Sequence, residues 1–202
     1  MGKLEENKKQ KKEALLNAAY DLFIQKGITK TTISEIVDHA GIAKGTFYLY
    51  FKDKYDICNH LVLYKINEVF ADARETLKFQ NIHSFKEQVI FVVDHSIEIL
   101  EKDPALLAFV SKNLTHSIFS RHSEETSSCS SFCLDFLSDE QQAYAKPELM
   151  LFTIFELVNS TCYSCILHGK PVSMKEYRPY LYKAIDAIMK SFQISSDDFS
   201  PQ

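Results

Sequence analysis

The stretch GIAKGTFYLYFKDK, residues 41–54, combines side chains that can bind a polyanion with aromatic side chains. Lys44 can reach a phosphate or a guanine edge, and the hydroxyls of Thr46 and Tyr48 can bond phosphate oxygens. Gly45 costs about 1 kcal/mol relative to alanine in a helix interior, which makes sense if the backbone must come close to a base. This chemistry predicts contact with duplex DNA. The alternative is a solvent-facing short helix with a few stray aromatic residues.

The spacing within this stretch predicts a short helix with two different faces. Phe47 and Phe51 lie four residues apart, so they share a face and can anchor the helix inward together with Ile42 or Ala43. The outward face is then formed by Lys44, Gly45, Thr46, Tyr48 and Leu49.

The preceding residues supply a partner helix and a turn. In TTISEIVDHAGIAKGTFYLYF, residues 31–51, Thr32 and Glu35 have the spacing of a capping box. Gly41 lies in the four-residue turn HAGI, and a second short helix begins near residue 43. This order of short helix, glycine-containing turn and short helix is typical of a helix–turn–helix motif. Helices this short are marginal alone, so we expect the helices before and after them to hold them in place.

The remainder of the sequence also predicts helices. Capping-box spacings recur at Ser84 and Ser173, Asp53 makes a similar acidic start, and Pro104 and Pro147 suit first-turn positions. Glycines suited to helix ends are Gly27, Gly41 and Gly169. No window shows sustained strand-like alternation, so we predict an all-α protein. About nine helices are expected, near residues 9–26, 33–39, 43–50, 53–78, 84–102, 104–117, 125–143, 147–168 and 173–193.

Composition and charge limit the class of protein. The chain has 202 residues, 46% of them hydrophobic, and a formal net charge of -4. Residues 1–54 hold ten lysines against seven acids, whereas the remainder holds 13 basic and 20 acidic side chains. A basic first quarter suits contact with phosphate. The N-terminus lacks the apolar region of a secretory signal, no uncharged apolar run reaches about 18 residues, and the five cysteines suit reduced thiols, so we expect a cytoplasmic protein without a membrane span.

Residues 14–57 resemble the DNA-binding module of TetR-type bacterial transcriptional regulators. The matching features are the AAxxLFxxKG first helix, the TTISEIVDHAGIAKGT motif and the FYLYFKDK exit into a long fourth helix. One departure is Leu49, where an aromatic residue or histidine is common. The resemblance implies a homodimeric, nine-helix repressor whose C-terminal domain binds a small molecule and thereby lowers operator affinity.

We therefore predict a DNA-binding domain over residues 1–54 and an effector-binding and dimerisation domain over residues 55–202. Lys54, in the first turn of the long helix, can add a phosphate contact. The predicted DNA-binding residues are Thr31, Thr32, Lys44, Gly45, Thr46, Tyr48, Leu49 and Lys54.

The last two predicted helices suit a dimer interface. Between residues 147 and 168, apolar residues fall on nearly every face, which indicates burial on more than one side. With residues 173–193 this helix could make half of a four-helix interface, as the family's last two helices usually do; burial within one chain is the alternative. A symmetric dimer would suit a palindromic DNA operator.

A few polar side chains lie among these apolar residues and are candidates for contact with a small-molecule effector. The polar candidates are His95, His116, Glu156, Asn159 and Tyr163, and the aromatic Phe109 is added to them. For each of them, a satisfied core residue or a surface residue is a better interpretation than a ligand contact. Burial of the Glu156 carboxylate without a partner would be costly, so if it lines a cavity, a cationic or hydroxylated effector would be favoured.

The cysteines and histidines do not predict a metal site or a cofactor. Cys162 and Cys165 lie deep in a helical stretch, where small apolar filler is the better interpretation, whereas Cys129 and Cys133 lie in a predicted loop that could act as a thiol switch. We expect a repressor released by a small molecule. The alternative is a DNA-binding dimer of the same family switched by a protein partner or thiol oxidation. An all-α enzyme is disfavoured, because the sequence shows no nucleophile–base pair, phosphate-binding glycine loop or metal cluster.

Overall fold

The computed structural model of the chain describes residues 3–119 and 143–194. These residues form eight helices and no extended strand, which confirms the all-α prediction. The helices are α1 (Lys3–Lys26), α2 (Ile33–Ala40), α3 (Lys44–Phe47), α4 (Lys54–Leu77), α5 (Phe85–Lys102), α6 (Pro104–Phe119), α7 (Pro147–Leu167) and α8 (Met174–Ser191). Apart from residue 143, the helix predicted over residues 125–143 lies outside the described residues.

Most predicted helix bounds agree with the structure to within two residues, and two differ further. The first helix begins at residue 3 rather than 9, and α3 ends at residue 47 because residues 48–50 form a turn. The three predicted helix-end glycines, Gly27, Gly41 and Gly169, all have positive φ values, of 80°, 65° and 59° respectively. A glycine in this region closes a helix without the steric cost that a Cβ atom would add.

The described chain divides into two compact units. The first contains residues 3–65 and 112–119, and the second contains residues 66–111 and 143–194. Helix α4 begins in the first unit and ends in the second.

The first unit buries apolar side chains from α1, α2, α3 and the start of α4. Leu15, Ala19 and Phe23 are buried on one face of α1, as the helical spacing predicts. Helix α2 buries Ile36 and Val37. The two helices of the motif therefore bury side chains in the same unit as α1, as helices of this length require.

The second unit has a core built from α5, α7 and α8. Val93 and Ile97 from α5, Met150 and Ile154 from α7 and Leu181 from α8 belong to one buried cluster. Leu107 from α6 joins them. The described members of the cluster are Phe85, Val89, Val93, Ile97, Leu107, Met150, Leu151, Ile154, Cys162, Cys165, Met174, Leu181, Ile185 and Met189. Cys162 and Cys165 are members of this cluster, which confirms that they are apolar filler.

Burial also makes these thiols poor nucleophiles. Burial raises the pKa of Cys162 to about 12 and shifts the pKa of Cys165 in the same direction. The pKa of Cys58, buried in the first unit, is raised to about 12 for the same reason. Because the thiolate is the reactive form, these three cysteines are poorly suited to sensing oxidants.

Charged side chains connect α8 to α5 within the second unit. The Arg178 guanidinium donates to the carboxylates of Asp94 and Glu101, each at 2.6 Å. The Tyr182 hydroxyl donates to Asp94 as well. A second ion pair joins Lys86 on α5 to Asp186 on α8. Because the Arg178 guanidinium binds two carboxylates at once, it fixes the position of α8 along α5 more strongly than a single surface ion pair would.

The three predicted capping boxes form to different extents. At α2 both bonds are present, since the Thr32 hydroxyl accepts from the Glu35 amide and the Glu35 carboxylate accepts from the Thr32 amide. At α8 the Ser173 hydroxyl accepts from the Glu176 amide at 3.3 Å. At α5 the Ser84 side chain makes no capping hydrogen bond, so that part of the prediction is wrong.

The two serine caps of the second unit provide a matched pair of variants. We expect Ser173→Ala to lower the free energy of unfolding by about 1 kcal/mol, because an amide at the start of α8 loses its acceptor. Ser84→Ala, which removes no capping bond, should change stability by less than about 0.5 kcal/mol. Urea denaturation followed by circular dichroism measures both. Equal losses in the two variants would contradict this assignment.

Candidate nucleic-acid interface

The side chains around α3 divide into a buried pair and an exposed group. Phe47 is fully buried and Phe51 is 2% exposed, with ring centroids 5.7 Å apart. Phe51 also packs edge-on against His60 at 5.3 Å. Tyr48 is 54% exposed and Leu49 is 80% exposed. The inward position of the two phenylalanines and the outward position of Tyr48 and Leu49 are therefore confirmed. The predicted inward contribution of Ile42 or Ala43 is weaker, because Ile42 is only partly buried and Ala43 is exposed.

Backbone hydrogen bonds hold this arrangement at both ends of α3. The Ile42 amide donates to the Val37 carbonyl at 2.9 Å, which ties the turn to the end of α2. After α3, the amides of Tyr50 and Phe51 both donate to the Phe47 carbonyl at 3.0 Å. The exposed residues between these bonds are consequently presented on a backbone that is fixed on either side.

Lys44 and Gly45 begin the exposed face of α3. The Lys44 ammonium donates to the Ser34 hydroxyl of α2 at 3.2 Å, and both side chains are exposed. A Cβ atom added at Gly45 would meet nothing within 4 Å, and the backbone there does not have the positive φ that favours glycine. Neither internal space nor backbone conformation therefore accounts for glycine at this position. Thr46 next to it is partly exposed.

Thr31 and Lys54 perform structural roles that the sequence did not predict. Thr31 is fully buried, and its hydroxyl donates to the Gly27 carbonyl at 2.9 Å. The Lys54 ammonium donates to the carbonyls of Thr29 and Thr31, at 2.9 and 3.1 Å. A side chain without exposed surface cannot touch a phosphate, so we remove Thr31 from the proposed contacts. A phosphate at Lys54 would compete with two existing hydrogen bonds.

The hydroxyl of Thr32 is likewise engaged within the protein. It donates to the Glu35 carboxylate at 2.9 Å while accepting from the Glu35 amide. The Lys26 ammonium of α1 donates to the same carboxylate. Bonds from the Lys26 ammonium first, and then from the Thr32 amide and hydroxyl, lower the pKa of Glu35 to about 2. The carboxylate thus joins the end of α1 to the start of α2.

One further exposed residue belongs to this surface and was missed from the sequence. Ser34 on α2 accepts the hydrogen bond from Lys44. No spacing rule in the sequence pairs these two residues, because they lie ten positions apart on different helices.

The predicted effector residues that the structure describes have different surroundings. His95 pairs with Asp72 at 2.7 Å, and Asn159 accepts a hydrogen bond from Ser111 at 3.0 Å. Phe109 is buried, Glu156 is partly buried, and Tyr163 is 38% exposed. The side chain of His116 lies outside the described part of the structure.

The second unit contains an apolar cavity whose described lining includes none of His95, Phe109, Glu156, Asn159 and Tyr163. The rings of Phe70 and Phe155 lie 6.3 Å apart on its wall. The lining residues are Phe70, Arg74, Val89, Val92, Val93, Ser96, Leu151, Ile154, Phe155 and Val158. The Ser96 hydroxyl donates to the Val92 carbonyl, so its polarity is satisfied. Because Glu156 is absent from this lining, the geometry does not support a cationic or hydroxylated effector.

Among residues 3–119 and 143–194 there is no group of three or more His, Cys, Asp or Glu side chains that could hold a metal ion.

The Glu35 cluster can be tested by titration. We expect Lys26→Met to raise the pKa of Glu35 from about 2 towards its ordinary value of 4.5, because the largest cause of the shift is removed. The lowered pKa means that the carboxylate stabilises the fold above pH 4.5 and that this contribution is lost as the pH falls towards 2. Carbon-13 NMR of the Glu35 carboxyl measures the pKa directly.

Lys9→Met is the matched control, because the Lys9 ammonium lies 3.9 Å from Glu13 on α1. It should leave the pKa of Glu35 unchanged. A Glu35 pKa near 4.5 in the unaltered protein would contradict the cluster.

Comparison with known proteins identifies related sequences. Residues 15–61 match the sequence model described as bacterial regulatory proteins, tetR family. A fatty acid metabolism regulator protein of Bacillus subtilis is 29% identical over 110 residues, which cover 54% of this chain and 56% of that protein. The repressor BepR of Brucella suis is 37% identical over 51 residues, covering 25% of this chain and 24% of its own length. The chain therefore spans about half the length of the first relative and a quarter of the second.

Solved structures share the fold over most of the chain. A TetR-family regulator from Syntrophomonas wolfei covers 90% of this chain and 96% of its own, with a TM-score of 0.61 and 17% identity. The regulator FadR from Bacillus subtilis, solved in complex with stearoyl-CoA, covers 86% of this chain and 96% of its own, with a TM-score of 0.55 and 18% identity. The N-terminal motif of the chain therefore matches the tetR family of bacterial regulatory proteins over residues 15–61, and the chain shares its helical fold with solved TetR-family regulators.

Proposed function

We propose that the protein is a DNA-binding transcriptional repressor that a small-molecule effector releases from its operator. The observation that carries this proposal is Gly45, which has open space where a side chain would be and stands on a helix fixed by two buried phenylalanines. Its exposed neighbours Lys44 and Tyr48 have the chemistry to bind phosphate and base edges. The two relatives named above are a regulator protein and a transcriptional repressor, which supports a regulator rather than an enzyme.

We assign the DNA contacts to Thr32, Lys44, Gly45, Thr46, Tyr48 and Leu49, with Lys54 contributing only if it exchanges its carbonyl partners. Residues 1–54 are the proposed DNA-binding domain, and residues 55–202 are the proposed effector-binding and dimerisation domain. As a DNA-binding protein, it would act in the cytoplasm.

The proposed homodimer forms through α7 and α8 and binds a palindromic operator. Helix α7 is long and apolar enough to cross a membrane by length and composition. Only 28% of its most apolar 18-residue stretch is buried in the described structure, so much of this apolar helix lacks a cover. It also carries Glu148 and Glu156, which a lipid environment would disfavour. Leu149 and Tyr163 on α7 and Tyr180 on α8 are large and exposed. A second copy of the chain would cover such a surface.

The cavity supports an effector that carries a long apolar chain. Most of its lining is aliphatic or aromatic. The Bacillus subtilis relative is named for fatty acid metabolism, and the Bacillus subtilis FadR structure holds stearoyl-CoA. Helix α4 begins beside the motif with Lys54 and contributes Phe70 and Arg74 to the cavity. A ligand that favours one position of α4 would therefore shift the population of DNA-binding conformations.

The alternative of a thiol switch gains no support from the described cysteines. Cys58, Cys162 and Cys165 are buried, and their raised pKa values disfavour the reactive thiolate. Cys129 and Cys133, which the sequence singled out, lie outside the described residues.

Gly45→Ala tests DNA recognition separately from folding. We expect the variant to keep its stability or gain up to about 1 kcal/mol, because alanine is the better helix former and meets open space. Its affinity for an operator selected from a random duplex pool should fall at least about tenfold, since the methyl group would separate the backbone from the bases. Fluorescence anisotropy at a fixed salt concentration measures the affinity.

Lys44→Gln should also weaken operator binding, and Lys102→Gln, which removes an exposed lysine from the end of α5, is its matched control. Full operator affinity in both Gly45→Ala and Lys44→Gln would overturn the proposed interface.

The dimer is tested at Tyr163. A carboxylate introduced by Tyr163→Glu should weaken self-association at least about tenfold, because burying an unpaired charge is costly. Phe79→Glu is the control, since Phe79 is 81% exposed and lies outside α7 and α8. Analytical ultracentrifugation measures the dissociation constant. If Tyr163→Glu dimerises as well as Phe79→Glu, the proposed interface is wrong.

A further inference from the structure

A second concave region of the same unit lies where α4 ends and α5 begins. It is an open depression of the surface. Its lining residues are Arg74, Leu77, Lys78, Gln80, Ile82, His83 and Gln88. Arg74 also lines the apolar cavity, so a single side chain borders both regions.

The two regions differ in chemistry. The cavity is bordered mostly by hydrocarbon, whereas the depression has the cations Arg74 and Lys78, the imidazole of His83 and two side-chain amides. None of its described lining residues carries a carboxylate. The nearby Glu75 pairs with Lys78 at 2.9 Å, but both side chains are about two-thirds exposed. Such an exposed pair contributes little, so Lys78 can exchange this partner for another anion.

Arg74 is suited to the boundary between the two regions. Its hydrocarbon stem can lie along apolar surface while the guanidinium stays at the polar side. The guanidinium has interactions within the protein, and its five N–H donors can serve more than one acceptor. A planar fork of this kind binds a carboxylate or phosphate through two parallel hydrogen bonds.

We infer that the effector is an anionic amphiphile whose hydrocarbon chain occupies the apolar cavity and whose carboxylate or phosphate head binds Arg74, with Lys78 beside it. This inference rests on the proposed effector-responsive function and specifies the class of ligand. Arg74 distinguishes an anionic head group from a neutral one, and the cavity accepts the chain that both would share.

Three ligands with the same chain length separate these contributions. Dodecanoate carries a carboxylate, dodecanoyl-CoA carries phosphates, and dodecan-1-ol is neutral. Isothermal titration calorimetry on the full chain, below the micellar concentrations, measures their affinities. Arg74→Gln should weaken the anionic ligands at least about tenfold, because a charge-assisted hydrogen bond is lost, and should change dodecan-1-ol less than about threefold.

Further variants assign the effect to the head group. Lys78→Gln should weaken the anionic ligands by about two- to fivefold, in keeping with an exposed charge. Lys102→Gln should leave all three affinities unchanged, and Val158→Phe, which fills part of the cavity lining, should weaken all three ligands alike. The anion that loses more affinity in Arg74→Gln is the one whose head the site fits better. Circular dichroism checks folding, and if Arg74→Gln does not fold, Arg74→Lys and Lys78→Gln decide the test.

An equal loss for the neutral and anionic ligands in the Arg74 and Lys78 variants would overturn the inference. So would the absence of binding by all three ligands to the unaltered protein. Neither result would touch the proposed DNA binding, because the operator experiment with Gly45→Ala is carried out without any effector.

Discussion

The burial of Phe47 and Phe51 is the constraint on which the proposed DNA interface depends. Helix α3 has only four residues, and a helix of that length does not persist by its own hydrogen bonds. The two rings supply the missing stability from outside the helix, because each full burial of such a side chain contributes about 1.5–3 kcal/mol. Since the rings point inward, Lys44, Gly45 and Tyr48 point outward. The orientation of the exposed residues is thus a consequence of packing.

The hydrogen bonds around the motif complete this arrangement. Thr31 and Lys54 tie the turn between α1 and α2 to the start of α4, and the Glu35 carboxylate joins α1 to α2. Three polar residues that were predicted to contact DNA, Thr31, Thr32 and Lys54, therefore make hydrogen bonds within the motif instead. The residues that remain available for a partner are concentrated on α3 and the turn that follows it. Gly45 is therefore better placed to meet DNA than Thr31 or Thr32, whose hydroxyls are already bonded within the protein.

The sequence predicted those features that arise from local spacing. Phe47 and Phe51 are four residues apart, and Thr32 and Glu35 are three apart, so their geometry follows from one helical turn. Where a bond depends on more than spacing, prediction was weaker: Ser84 and Ser173 have the same pattern, yet only Ser173 makes its capping bond.

The effector cavity could not be predicted in the same way. Its lining comes from α4, α5 and α7, which are distant in the sequence, and periodicity shows that a side chain points inward without showing which space it faces. The prediction selected polar side chains as unusual features of an apolar region, such as His95 and Asn159. The structure gives these polar groups partners of their own, whereas the cavity is lined by ordinary valines and phenylalanines. Arg74 is the one charged residue among the described lining residues, and no local sequence pattern indicated that it would face a cavity.

The most direct test is fluorine NMR of protein labelled with 3-fluorotyrosine, with Tyr48→Phe and Tyr180→Phe used to assign the two resonances. Tyr48 lies on the proposed interface, and Tyr180 is a similarly exposed tyrosine, 64% against 54%, on α8. The account predicts that addition of the selected operator shifts the Tyr48 resonance in proportion to the fraction bound, while the Tyr180 resonance stays in place. An unshifted Tyr48 resonance at saturating operator would contradict the claim that this face of the motif meets DNA.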